Sequence, residues 1–288
     1  MLDKTQTEKF DPAISAYESQ FVDAGGIRTH YIQSGEGEPL VLVHGGGPGA
    51  DSYGNWYSCL PEFAKNFNTT AVDMLGFGKT DKPDPEGFAY TQDARTEHMI
   101  NFLDTLGNRP VNIIGNSMGG LTSLCVAQKR PDLIKRLVLM GAAGINMQKP
   151  VALAPLLNYN GTLDAMREVV ATLTYGNFKV GDDLLNYRVK LSTQPETLKA
   201  QAATMKWIGE RGGLYVDEEI IRGVRHTTLL VGGKNDPIVT TEQMFRFLEL
   251  IDDARLYMLP HCGHWAMMEY PREFVKITTD FFRDDNDD

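Results

Sequence analysis

VNIIGNSMGG, residues Val111–Gly120, decides how this chain folds. Val111–Ile114 reads as a short buried strand closed by Gly115, and Met118–Lys129 reads as a small, apolar helix that stops before Pro131. Between them stands Gly115-Asn116-Ser117-Met118-Gly119, a G-x-S-x-G motif in the strand–turn–helix setting that gives it meaning. A turn this tight holds the serine in a strained conformation, and a Cβ two residues to either side would collide with neighbouring backbone. The hydroxyl then projects above the sheet, while the following N–H groups sit at the positive end of a helix. The plainer reading of the same serine is an N-cap.

Outward from this stretch, further short apolar runs follow. Leu40–Val43, Thr69–Val72, Leu137–Met140, Leu229–Val231 and Leu256–Leu259 are continuous rather than alternating, as strands covered on both faces are. Phe21–Val22 and Ile27–Ile32 flank Ala24-Gly25-Gly26, a hairpin signal. Helical spacing marks Thr91–Leu106, closed by Gly107, and Thr241–Ile251. Strands alternating with helices predict an α/β fold with a mostly parallel, doubly wound sheet. From 145 to 215 the rhythm breaks. No strand-like run occurs there, and the amphipathic stretches Leu163–Leu173, Asp182–Leu191 and Pro195–Ile208 predict a helical lid inserted between two sheet strands. The division is therefore core 1–144, lid 145–215 and core 216–288. The first 20 or so residues read as a lead-in arm, and Asp284–Asp288 as a frayed acidic end.

Composition narrows the class. With 42% hydrophobic residues among 288, the chain can bury a real core. A net charge of −10 argues against a nucleic-acid partner, which needs a basic face. No apolar stretch approaches the roughly 18 residues of a membrane span, and the polar start MLDKTQTEKFDPA is unlike a signal peptide. Three scattered cysteines do not make a disulfide framework, so a cytoplasmic location is expected.

A serine nucleophile needs a base, and the base needs an orienting acid. Asp236 follows the Leu229–Val231 strand and His264 follows Leu256–Leu259, so both stand on loops at the sheet edge that carries Ser117. The order Ser, Asp, His is the one this architecture uses. His261 is the rival base. Asp252 and Asp253 enter a strand and lie at the opposite edge; His30, His98 and His226 read as surface or satisfied polar residues. His261, Cys262 and His264 could also be metal ligands, but further partners at suitable spacing are missing, so no metal and no cofactor are expected. His44-Gly45-Gly46-Gly47-Pro48-Gly49 follows a strand, and its glycine N–H groups can converge with that of Met118 on one oxyanion. Gly45-x-Gly47-x-x-Ala50 with Asp73 also fits a dinucleotide fingerprint, although Asp51-Ser52-Tyr53-Gly54 is a poor helix start.

These residues resemble the α/β-hydrolases, and more narrowly the meta-cleavage product hydrolases of bacterial aromatic degradation. The likeness runs from about Phe21 to Phe282. It rests on the His44–Ala50 stretch, Asp73-Met74-Leu75-Gly76-Phe77-Gly78-Lys79, Gly115–Gly120 and Cys262-Gly263-His264-Trp265-Ala266. The resemblance implies serine-dependent hydrolysis of a carbon–carbon bond in a 2-hydroxy-6-oxo-hexa-2,4-dienoate, giving 2-hydroxypenta-2,4-dienoate and a carboxylic acid. It implies a triad of Ser117, Asp236 and His264, and an oxyanion hole from the N–H groups of Gly46 and Met118. Asn55, Asn116 and Trp265 match substrate-contact positions, Arg188 matches a lid arginine that binds the dienoate carboxylate, and the assembly is expected to be a homo-oligomer, dimer or larger. Read without the resemblance, Arg188 is an arginine on a solvated helix face, Trp265 a core aromatic and Asn55 a loop cap. Leu156, Leu157, Leu173 and Trp207 are candidate walls for the 6-substituent, or plain core. A carboxylesterase, or a hydrolase-like binding protein without turnover, are the competing functions.

Overall fold

The computed structural model describes residues 10–11, 17–107, 110–146, 154–176 and 178–284. Eight strands form a single sheet in the order β1-β2-β4-β3-β5-β6-β7-β8: β1 Ser19–Asp23, β2 Arg28–Ser34, β3 Pro39–Val43, β4 Asn68–Val72, β5 Val111–Asn116, β6 Ile134–Met140, β7 Thr228–Gly233 and β8 Ala254–Leu259. β1 and β2 are antiparallel, as is the β2–β4 pair, and every pairing from β4 to β8 is parallel. The predicted hairpin is present, with Gly25 and Gly26 at φ 69° and 87°.

Two apolar layers explain the continuous strand runs. Leu40, Leu42, Ile114, Val138, Met140, Leu229 and Val231 face one layer, which the helix Pro271–Phe282 closes. Val41, Val43, Ile113, Leu137, Leu139 and Leu230 face the other, under the helices Gln92–Leu106, Met118–Lys129 and Thr241–Leu250. Successive side chains alternate between faces, and each face is buried, so no polar position is needed.

Between β6 and β7 lie the helices Ala154–Leu157, Leu163–Leu173, Asp182–Ser192, Pro195–Arg211 and Glu218–Arg222. The three longest coincide with the amphipathic stretches. Among the described residues no helix is long and apolar enough to cross a membrane.

The ends differ in part from expectation. Most of the lead-in arm lies outside the described residues, but Phe10 is buried, with its ring centroid 5.1–5.3 Å from those of Tyr53, Tyr57 and Tyr187. Residues 285–288 also lie outside them. Asp284 is not frayed: its carboxylate accepts from Arg255 at 2.5 Å and its carbonyl accepts from Arg136. The Asp51–Gly54 stretch does start a helix, Ser52–Trp56, because the Asp51 carboxylate accepts the Gly54 N–H at 2.8 Å and caps it.

Candidate active site

Ser117 follows β5 directly and stands at φ 53°, ψ −115°, a region that few residues other than glycine tolerate. The motif glycines are sterically required. A Cβ on Gly115 would fall 2.6 Å from Gly119 O and Gly120 Cα, and one on Gly119 only 2.3 Å from His44 O. Ser117 caps nothing with its side chain, so its hydroxyl stays available.

Asp236 and His264 meet as the sequence suggests. His264 Nδ1 lies 2.7 Å from Asp236 Oδ2, and Asp236 Oδ1 accepts the N–H groups of Ile238 and Val239 at 2.7 and 3.0 Å. Both side chains are buried. Their room comes from Gly141 at the end of β6, where a Cβ would stand 3.1 Å from His264 Nδ1 and 3.4 Å from Asp236 Oδ2. Among the described residues Ser117 Oγ makes no hydrogen bond to the ring. Serine and histidine nonetheless line the same cavity, and such bonds commonly tighten only with substrate bound.

The His264 backbone is held from outside the core. Leu173, the last residue of the helix Leu163–Leu173, accepts the N–H groups of His264 and Trp265 at 2.9 and 3.2 Å. His261, the rival base, is exposed at φ 52°, with its ring 5.7 Å from that of Tyr175. Among the described residues no group of three or more His, Cys, Asp or Glu could hold a metal ion.

Gly45, Gly46 and Gly47 line the cavity opposite Met118. A Cβ on Gly45 would lie 2.6 Å from Asn116 Oδ1, and one on Gly46 2.8 Å from Met118 Cε, so the glycine loop rests on the elbow. The Met118 N–H is first in its helix and has no intrahelical acceptor. His44 sets the loop: Nδ1 lies 2.7 Å from Gly45 O and Nε2 accepts the Met74 N–H at 3.0 Å. Burial lowers the His44 pKa, which keeps the ring neutral and able to accept. Nothing in the sequence beyond its place after β3 marks His44 for this task.

Asp73 is a strut under the same loop. Its oxygens meet His30 Nδ1, the Ser52 N–H and the Lys79 N–H, each at 2.7 Å, and it is fully buried. Burial alone would raise its pKa, but the hydrogen bond and charge of His30 outweigh this and hold it well below the usual range. A fully buried carboxylate already holding three donors cannot receive a ribose, so the dinucleotide reading fails.

The cavity has a volume of about 290 Å³, near the lower end for small-ligand sites. Asn116 and Trp265 line it, as do Leu156, Leu157 and Leu173. Three expectations need correction. Trp207 is not in the wall; it sits between Arg95 and Arg211, whose guanidinium carbons are 5.5 and 5.3 Å from its ring. Asn55 lies inside the helix Ser52–Trp56, buried and outside the lining, and the cap is Asp51. Arg188 is not on a solvated face; it is 1% exposed, stacked 5.1 Å over Trp265, with Nη2 donating to Pro48 O at 2.7 Å. Its Nε and Nη1 have no partner among the described residues, and burial brings its pKa down to about 10, so it remains a cation at neutral pH. It stands one layer behind the cavity surface.

The neighbouring Tyr187 donates to Asp51 Oδ2 at 2.5 Å. The Asp51 pKa is pushed up to about 7 by burial and then by the charge of Asp73.

Comparison with known proteins agrees with this geometry. Residues 38–271 match the α/β hydrolase fold family. A 2-hydroxy-6-oxo-6-(2'-aminophenyl)hexa-2,4-dienoic acid hydrolase of Metapseudomonas resinovorans is 47% identical over 93% of this chain and 91% of its own. A 2-hydroxy-6-oxo-2,4-heptadienoate hydrolase of Pseudomonas putida is 34% identical over 93% and 97%. Among solved structures, a meta-cleavage product hydrolase from Pseudomonas fluorescens superposes with a TM-score of 0.86 at 32% identity, covering 93% of this chain and 98% of that one. The chain belongs to the α/β-hydrolase family and, within it, to the meta-cleavage product hydrolases.

Proposed function

We propose that the protein hydrolyses the C5–C6 bond of a 2-hydroxy-6-oxo-hexa-2,4-dienoate, with Ser117, His264 and Asp236 as its catalytic residues. The observation that carries this is the His264–Asp236 pair at 2.7 Å, with His264 lining the same cavity as a strained Ser117 whose side chain caps nothing. The reaction consumes only water: its OH ends on C6 as the carboxylic acid, and its hydrogen replaces on O2 the proton that has moved to C5. A carbon leaving group is poor until the dienol has become a ketone, so proton transfer to C5 precedes cleavage, and His264 is placed to move that proton. Attack at the C6 carbonyl then generates an oxyanion facing the N–H groups of Gly46 and Met118. The C5–C6 electron pair leaves into the carbon chain, conjugated with the 2-oxo group, and reprotonation at O2 restores the dienol.

Arg188 is the proposed partner of the substrate carboxylate, in exchange for Pro48 O. A buried cation with two idle donors gains most from a carboxylate. Asn116 and Trp265, which line the cavity, complete the proposed substrate contacts. The helices between 145 and 215 act as the lid, and the apolar lid walls at Leu156, Leu157 and Leu173 suit the 6-substituent. The free, buried thiols Cys59, Cys125 and Cys262 support a cytoplasmic enzyme, and the family supports a homo-oligomer, dimer or larger.

The direct test is the loss of yellow colour of a ring-cleavage dienoate mixed with the protein. Ser117→Ala and His264→Ala should each lower the rate by about 10³-fold or more. Arg188→Ala should lose far more activity on the dienoate than on a neutral p-nitrophenyl ester. Persistence of the colour alongside fast ester hydrolysis would make the protein a carboxylesterase instead.

A further inference from the structure

Glu269 closes the short helix Ala266–Glu269 and is 1% exposed, so its carboxylate stands in the interior. Oε1 accepts the Gly263 N–H at 2.8 Å and lies 3.8 Å from Cys262 Sγ, while Oε2 accepts the Tyr175 N–H at 3.0 Å. Gly263 immediately precedes His264. Tyr175 stands two residues after Leu173, whose carbonyl holds His264 and Trp265. The two segments run in direct backbone contact, because a Cβ on Gly263 would come within 2.8 Å of the Thr174 carbonyl carbon. A buried carboxylate is costly unless donors surround it, and here the donors are backbone groups of the histidine loop and of the segment that leaves the helix Leu163–Leu173.

We propose that Glu269 is a positioning residue for His264. Its two oxygens bind the loop before the histidine and the chain after the lid helix at one point, which fixes where the imidazole stands relative to Ser117. The inference rests on His264 being the base. Its geometry is specific: each oxygen serves a different segment, so neither charge alone nor volume alone reproduces it.

Glu269→Gln tests this. Glutamine keeps the volume and one acceptor oxygen but turns an NH₂ toward a backbone N–H, so one of the two anchors is lost. On the dienoate, kcat should fall by about 10–100-fold, the range expected when a base is displaced by about an ångström, with KM changing far less. The acidic limb of the kcat/KM–pH profile should shift as well. Glu269→Asp keeps the charge without the reach and should also fall short of wild type; if the Gln variant does not fold, this variant carries the same comparison. A lowered melting temperature with wild-type kcat and an unchanged pH profile would overturn the proposal, as would full activity in the Asp variant. His264→Ala, measured in parallel, separates the two readings: wild-type turnover there would remove His264 as the base and leave the Glu269 result without bearing on it.

Discussion

Ser117 pays for its exposure in backbone strain. At φ 53° and ψ −115° a side chain costs about 1–3 kcal/mol that glycine avoids. Ser117→Gly should therefore be more stable than Ser117→Ala by about 1 kcal/mol, although both lack the hydroxyl on which the proposed reaction depends. Matched urea denaturation of the two variants checks this, and equal midpoints would mean that the turn is relaxed. The elbow was legible because each of its glycines answers a clash with backbone, and backbone clashes follow from local sequence. Arg188 was legible only through family likeness, and its burial was not. A side chain on the amphipathic stretch Asp182–Leu191 reads as solvated until Pro48 and Trp265 are brought against it by distant segments. Trp207, a candidate for cavity wall or plain core, is neither: its ring is only partly buried and lies between two guanidinium groups.

At the scale of elements, the helix Asp182–Ser192 is clasped to the glycine loop rather than merely laid on it. Tyr187 donates to Asp51, Arg188 donates to Pro48 O, and a Cβ on Gly49 would lie 2.2 Å from Arg188 O. Tyr187→Phe leaves a buried Asp51 oxygen without its donor. A loss of about 1–3 kcal/mol in unfolding free energy is expected, measured by denaturant titration, and an unchanged midpoint would show that water replaces the hydroxyl at no cost. The helices themselves were readable from their apolar spacing. The short helix Ser52–Trp56 was not, since Ser-Tyr-Gly-Asn has little helical preference and depends on the Asp51 cap and on burial. The clasp could not be read either, because a hydrogen bond between residues 51 and 187 leaves no local mark in a single chain.

Across the whole molecule, continuous apolar runs revealed a sheet covered on both faces, while the crossing order β2-β4-β3-β5 depends on connections that periodicity does not encode. Two buried groups give stability opposite dependences on pH. Asp51 folds with a pKa near 7 against about 4 unfolded, so it holds a proton more tightly when folded and costs stability as pH rises from about 4 to 7. His44 folds with a lowered pKa, so its contribution is present above about 6.5 and is lost as pH falls below that value. Asp51→Asn keeps a capping oxygen and removes the first effect. Its melting temperature should rise relative to wild type between pH 5 and pH 8; a constant gap would assign the ionisation elsewhere. The shared carbonyl of Leu173 also bears on transplanting substrate range between relatives. Residues 173–175 belong mechanically to the histidine loop, so a graft of foreign helices whose junction falls inside that tripeptide should shift the backbone of His264, whereas one ending before it should leave that backbone in place.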